Sequence, residues 1–176
     1  MPTRLATLFL LAAVGGSVAV PAGAQQPLGV FPGLVGAWEG PAWIVMGPDG
    51  RHDVLQREWV REVAGGTVIT VQGIGKETSV DGTERTVHDA FAVIHLDRDR
   101  ATPLMRAYTS AGNWQDMDLT LRDDGYDWGM DDPRAGRIRY EARFSDDGLW
   151  TEKGYMTRDD GKTWIQFFEM NLRRTN

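Results

Sequence analysis

The chain contains no cysteine. It has no disulfide framework, no thiolate ligand for a metal and no cysteine nucleophile, so it stands on its core even in an oxidising compartment. Histidine is scarce as well, with three residues, His52, His88 and His95. His88 and His95 fall on one predicted strand an odd number of residues apart. They face opposite sides and lie roughly 23 Å apart at about 3.3 Å per residue. They cannot share an ion within one subunit, and His52 sits beside a turn, so no metal site is expected. An excess of positive charge is also missing, the formal net charge being −6. Without a basic stripe, neither nucleic acid nor an anionic membrane surface is an expected partner. No block of like charge, low-complexity tract or repeat of solenoid or propeller length is present.

Long apolar runs are confined to the start. Met1 to Ala24 carries one basic residue (Arg4), an apolar stretch from Leu5 to Val20, and then Pro21-Ala22-Gly23-Ala24. This pattern reads as a secretory signal peptide cleaved near Ala24-Gln25. The stretch is short of the roughly 20 residues a membrane span needs and is interrupted by Gly15, Gly16 and Ser17. The expected product is a periplasmic or secreted single domain, residues 25–176, with no stable membrane insertion. Loss of Arg4 takes its formal charge from −6 to −7.

Catalytic signatures are thin. The serines after residue 24 are Ser79, Ser110 and Ser145, all at predicted strand ends or turns, and none lies in a Gly-x-Ser-x-Gly elbow. Gly73-Ile74-Gly75-Lys76-Glu77 has Thr70 where a P-loop needs its first Gly and Glu77 where it needs Ser or Thr. Asp123, Asp124, Asp127, Asp131 and Asp132 crowd one predicted hairpin. Their spacing matches no calcium loop, and Asp is common in turns.

What is present is a regular beat of strands and turns. Tight Gly/Asp-rich turns occur at 47–50, 64–66, 81–82, 97–100, 111–113, 123–125, 133–136, 146–148 and 159–161. Gly-Gly and Asp-Gly supply the positive φ that hairpins require. Nine such turns predict about ten strands joined in sequence, an all-β, up-and-down antiparallel barrel. Pro41 predicts a bulge or break in the first strand. Arg137 to Phe144 alternates cleanly, with Ile138, Tyr140, Ala142 and Phe144 on one face. Phe91 to Ile94 and Trp164 to Phe168 are apolar on both faces, which calls for a cover: the irregular segment from Gln25 to Val35, a lid, or the second subunit of a homodimer.

Phe31-Pro32-Gly33-Leu34-Val35-Gly36-Ala37-Trp38 resembles the start of the calycin barrels, where a Gly-x-Trp motif opens the first strand and its Trp plugs the closed end. With Glu58-Trp59-Val60 and Gly65-Gly66-Thr67, the pattern is similar to exported bacterial lipocalin-like proteins classed as domains of unknown function. The resemblance implies a lipocalin- or fatty-acid-binding-protein-like barrel over nearly all of residues 25–176. The chain lacks the Thr-Asp-Tyr motif of lipocalins and any run for a C-terminal helix. Nitrobindin-like haem barrels share the strand count but use a His near the C-terminal end. This chain has none after His95, so no cofactor is expected. Thr157-x-Asp159-x-Gly161-x-Thr163-Trp164 resembles the Asp-box hairpin found in sialidases. That resemblance implies a capped turn, or else a sugar-contacting one.

Glu58, Glu152, Glu169, Arg57, Arg106 and Gln166 interrupt apolar strands. Such residues either point to water, pair across strands, or fix the polar head of a bound molecule, because an unsatisfied buried polar group costs about 1–3 kcal/mol. Arg106, Glu169 and Tyr108 are candidates for an interior polar group. The leading expectation is a carrier of a small apolar or amphipathic molecule, contacted by Trp38, Trp59, Phe91, Arg106, Tyr108, Trp128, Phe168 and Glu169 without catalysis. One alternative is an acid–base enzyme of cyclase or isomerase type, with Glu58 or Glu169 as base and Tyr108 or Arg106 as polariser. Another is a filled barrel acting on an envelope partner through its surface.

Overall fold

The computed structural model describes residues 33–47, 50–97, 102–133 and 135–175. The proposed signal peptide, Met1 to Ala24, and residues 25–32 of the irregular segment that precedes the first strand lie outside them. Ten strands follow one another: β1 (Gly36–Val45), β2 (Arg51–Val63), β3 (Val68–Thr78), β4 (Glu84–Asp97), β5 (Thr102–Thr109), β6 (Trp114–Arg122), β7 (Gly125–Asp132), β8 (Gly136–Phe144), β9 (Leu149–Thr157) and β10 (Ile165–Arg174). Each pairs antiparallel with its neighbour in sequence, and β1 pairs with β10 to close the barrel. The expected all-β, up-and-down antiparallel barrel is the fold observed. Closure leaves no open sheet edge, which an isolated sheet would have to protect by other means. Among the described residues no helix is long and apolar enough to cross a membrane.

Every connection falls on one of the nine Gly/Asp-rich segments read from the sequence. The β2–β3 connection is a 3₁₀ turn, Ala64–Gly66, with Gly65 at φ 67° and Gly66 at φ 82°. These angles favour the glycines that stand there. The Asp-box segment builds the β9–β10 turn. Asp159 Oδ1 accepts from the Thr163 amide (2.8 Å) and the Thr157 hydroxyl (2.7 Å), and Thr157 Oγ1 accepts from the Gly161 amide (3.0 Å). These bonds supply the turn's amides with acceptors in place of a strand partner.

Pro41 leaves β1 unbroken. The strand keeps one register along β2, with Pro41 opposite Leu55. On the other side the β1–β10 ladder skips Gly40 and Pro41, as expected where Pro has no N–H to donate. True register shifts occur elsewhere, between Gly75 and Lys76 in the β3–β4 pair and between Gln166 and Phe168 in the β9–β10 pair.

Side chains that alternate inward fill one end of the barrel. Leu34, Val60, Ile69, Ile94, Trp150 and Leu172 are the largest fully buried ones. They sit where β1, β3 and β9 begin and β2, β4 and β10 end. Trp38 packs edge-on against Trp150, with centroids 5.7 Å apart, and its indole N–H donates to the Leu34 carbonyl at 2.8 Å. Arg174 lies over the outer side of the Trp38 ring, 4.6 Å from its centroid, and donates to the carbonyls of Val35 and Gly33. Trp38 and Trp150 thus fill this end of the barrel together. The alternation read over β8 also holds: Ile138 and Ala142 are buried, and Tyr140 and Phe144 share their inward parity.

Candidate functional site

Above the packed end the barrel is hollow. A cavity of about 160 Å³ runs from the Trp150 and Tyr126 rings toward the end that carries the β1–β2, β3–β4 and β9–β10 turns. Its walls are largely apolar: Val54, Val71, Ala92, Met105, Phe168 and Met170 among them. One side is aromatic, with Trp128 and Tyr140 stacked at 3.9 Å and 7° and Phe168 standing edge-on to Tyr140 at 5.8 Å.

Four polar side chains interrupt this lining, Gln56 and Glu58 from β2, His88 from β4 and Glu152 from β9. Alternation places Gln56 and Glu58 between Val54 and Val60 on the inward face of β2, and Glu152 two residues beyond Trp150 on β9. Room for two of them comes from glycine. A Cβ on Gly73 would stand 2.6 Å from Glu58 Oε1, and one on Gly75 would stand 2.6 Å from Gln56 Oε1. Both side chains therefore lie flat over β3 backbone that no other residue would leave bare.

The electrostatics of this lining are unusual for an apolar interior. Burial raises the Glu58 carboxyl from 4.5 to about 7, against a Gln56 Nε2 hydrogen bond (2.7 Å) that favours the charged form. Burial, and then repulsion from Glu58, raise Glu152 to about 8. The Trp128 and Trp150 indoles act on Glu152 in the opposite sense, yet Trp150 Nε1 makes no hydrogen bond of normal geometry. Desolvation lowers His88, which keeps it neutral. Tyr126 and Tyr140 are held protonated by burial and by the nearby carboxylates. Among the described residues no Lys or Arg lines the cavity, and no group of His, Asp or Glu gathers to hold a metal ion.

The eight residues expected at the site separate by strand parity. Trp128 and Phe168 line the cavity. Trp38 points inward but packs behind Trp150 in the plug, off the cavity wall. The other five belong to the outward-facing sets of their strands, so their expected place in the interior is corrected. Arg106 forms a two-pronged ion pair with Asp116 (2.5 and 2.6 Å) and lies 4.8 Å over the Trp114 ring. Glu169 accepts from Gln166 (2.8 Å) and Asn171 (3.2 Å), and these bonds hold its carboxyl below the usual range despite partial burial. Trp59, Phe91 and Tyr108 fall on one register row of the outer surface, Trp59–Gln72–Phe91–Tyr108–Trp114, across five adjacent strands. The interior polar pair is Glu58 with Glu152, and the expected Arg106, Glu169 and Tyr108 group lies outside.

The comparisons with known proteins agree with the geometry at the level of fold. The protein resembles Rv2717c. The crystal structure of Rv2717c from M. tuberculosis matches with a TM-score of 0.61 at 13% identity, covering 85% of this chain and 97% of that one. At that identity the likeness extends to the fold and no further. No protein-family model matches the chain, and no curated protein matches it.

Glu58 was named as a candidate base, but its pairing with Glu152 was not foreseen, although a signal for it did exist in the sequence. On β2 the parity of Glu58 also carries Val54 and Val60, whereas the opposite parity carries Arg57 and Arg61. On β9 the parity of Glu152 carries Trp150, Gly154 and Met156, whereas the opposite one carries Lys153. In each strand the fixed positive charges mark the wet face, and the glutamates lie on the other.

Proposed function

We propose that this protein is an exported carrier that holds a small amphipathic molecule inside its barrel. The observation that carries the reading is the cavity itself, walled by Trp128, Tyr140, Phe168, Met105 and Met170 and furnished with a few convergent polar groups. Apolar walls with few, placed polar groups are the common build of small-molecule sites. Apolar cavities of about 150 Å³ take up a benzene-sized group. The enclosed space therefore suits a ring or a short chain, and a longer tail would emerge toward the turn-bearing end. Methionine and aromatic walls adapt to such shapes at little energetic cost.

The test is native mass spectrometry of the mature protein freshly purified from a bacterial envelope. A reproducible added mass of small-molecule size, lost when Trp128→Ala and Phe168→Ala are combined, is the expected result. A bare polypeptide mass that also stays unchanged after incubation with lipid and metabolite extracts would overturn the carrier reading.

A second reading is favoured by one observation. Glu58 is raised to about 7, near where a general base is most effective. An acid–base enzyme in the same cavity would use Glu58 and Glu152, because Glu169, Arg106 and Tyr108 face away from it. Conversion of a captured molecule by wild type but not by Glu58→Gln, with binding retained, would support this reading. Capture without any conversion would remove it.

A further inference from the structure

Glu58 and Glu152 present a problem that the described side chains leave unsolved. Both are buried, at 7% exposure each, in a cavity on whose walls no Lys or Arg stands among the described residues. Buried charges in proteins are paired, and an unpaired carboxylate in an apolar interior gives up its charge by taking a proton. Each carboxyl disfavours ionisation of the other, but the neutral donors beside them favour the charged form. Gln56 turns its amide N–H toward Glu58, and the Trp128 and Trp150 indoles beside Glu152 offset part of the effect of its burial. Trp150 is 2% exposed, and its Nε1 has no partner of normal geometry. The site thus gathers acidic groups with donors that suit them, and no Lys or Arg among the described residues stands there to balance their charge.

We propose that the occupant of the cavity is an amphipathic amine, its ammonium group seated against Glu58 and Glu152 and its hydrocarbon part among Trp128, Tyr140, Phe168 and Met170. This inference rests on the carrier reading and names the ligand class within it. The ammonium supplies the missing counter-charge to two carboxylates at once. The faces of Trp128, Tyr140 and Trp150 add cation–π attraction, which is strongest in a desolvated site. With Glu152 ionised, Trp150 Nε1 has a charged acceptor on the same wall. Gly73 contributes by staying small, since any side chain there would push the Glu58 carboxyl off its seat.

The inference predicts a pH dependence of defined sign. The titratable groups facing the pair are His88 from β4, Tyr126 from β7 and Tyr140 from β8. β1, β3, β5 and β10 contribute none to the cavity wall. His88 is held neutral and both tyrosines stay protonated, so only Glu58 and Glu152 change charge near neutrality. The empty site must lose protons to accept a cation. Amine affinity therefore rises with pH until the amine itself deprotonates. An anionic ligand bound by protonated carboxyls would show the reverse trend.

Octylamine, octanol and octanoate, matched in chain and differing in head group, test the inference by titration calorimetry. Octylamine should bind about tenfold or more tighter than either analogue. Its affinity should climb between about pH 6 and about pH 8.5 as the carboxyls ionise, with protons released on binding. In Glu58→Gln/Glu152→Gln that advantage and the proton release should vanish while octanol still binds, a control that the variant is folded. Equal affinity for all three head groups, or a preference for octanoate that weakens with rising pH, would overturn the amine assignment and leave the carrier reading standing. If none of the three binds, the amine assignment falls. The mass-spectrometric test of captured ligand then judges the carrier reading on its own.

Discussion

The pair of buried glutamates should make the protein less stable as the pH rises through neutrality, against the trend of a surface-charged domain. A Glu whose folded-state value lies above its unfolded one holds its proton longer when folded, so folding is favoured at low pH and penalised as pH climbs through the folded value. The window runs from 4.5, the ordinary value, to about 7 for Glu58 and about 8 for Glu152. Between about pH 5.5 and about pH 8 the integrated loss is roughly 2 kcal/mol from Glu58 and roughly 3 kcal/mol from Glu152. Together that is about 5 kcal/mol, a large share of the 5–15 kcal/mol by which domains are usually stable.

Other groups do not hide this effect. His88 is lowered by burial, so it opposes folding as the pH falls below its ordinary value, the opposite direction. Glu77, Asp127, Asp159 and Glu169 are held below the usual carboxylate range by their partners. Their contributions are lost only in acid, below the window. Both classes are common to wild type and to Glu58→Gln/Glu152→Gln, whose amides mimic the protonated acids in shape. Urea unfolding followed by tryptophan fluorescence measures the difference between the two proteins. The advantage of the double variant should widen by about 5 kcal/mol across that pH interval. A difference that stays constant with pH would refute the reasoning and would mean that the two carboxyls ionise freely in the folded barrel.

Three further perturbations check other parts of the account. Gly73→Ala brings a methyl to within 2.6 Å of Glu58 Oε1; it should cost about 1–3 kcal/mol by overpacking, and an unchanged urea midpoint would show that Glu58 does not rest on Gly73. Arg106→Ala and Tyr108→Ala, on the outer surface, should leave octanol binding in the cavity unaltered, whereas Trp128→Ala and Phe168→Ala should weaken it; calorimetry on the four variants tells the two faces apart. Trp38→Ala should lose about 3–5 kcal/mol of stability by emptying the plug against Trp150, and a melting temperature within a degree or so of wild type would argue that the packed end contributes little.

The architecture was legible because its signals are local. Each hairpin announces itself within two to four residues, as in Gly65-Gly66 or Asp147-Gly148, where positive φ calls for glycine. Nine such signals in a row point to a meander, and the β1–β10 pairing closes it. The Asp-box segment was readable for the same reason, since its bonds run among Thr157, Asp159, Gly161 and Thr163. The cavity was harder to read. Trp128, Phe168 and, as a candidate base, Glu58 were named and line the cavity, but the polar group was also sought at Arg106, Tyr108 and Glu169, which point outward.

Alternation along a strand determines which side chains travel together: Val54 with Gln56 and Glu58, or Leu55 with Arg57 and Trp59. That much belongs to the sequence alone, because successive side chains on a pleated strand must point to opposite faces. Which set is enclosed depends on how all ten strands curve and close through the β1–β10 pairing. Local irregularities also change parity midway. The shift between Gln166 and Phe168 lets adjacent Phe167 and Phe168 both reach Tyr140, against simple alternation. Glu58 and Glu152 sit far apart in the chain, and only closure brings them to one cavity, on whose walls no basic residue stands among those described. The charge, the turns and the two-residue beat were the sequence's to determine; the company each glutamate keeps, and therefore its proton, was decided by the closed barrel.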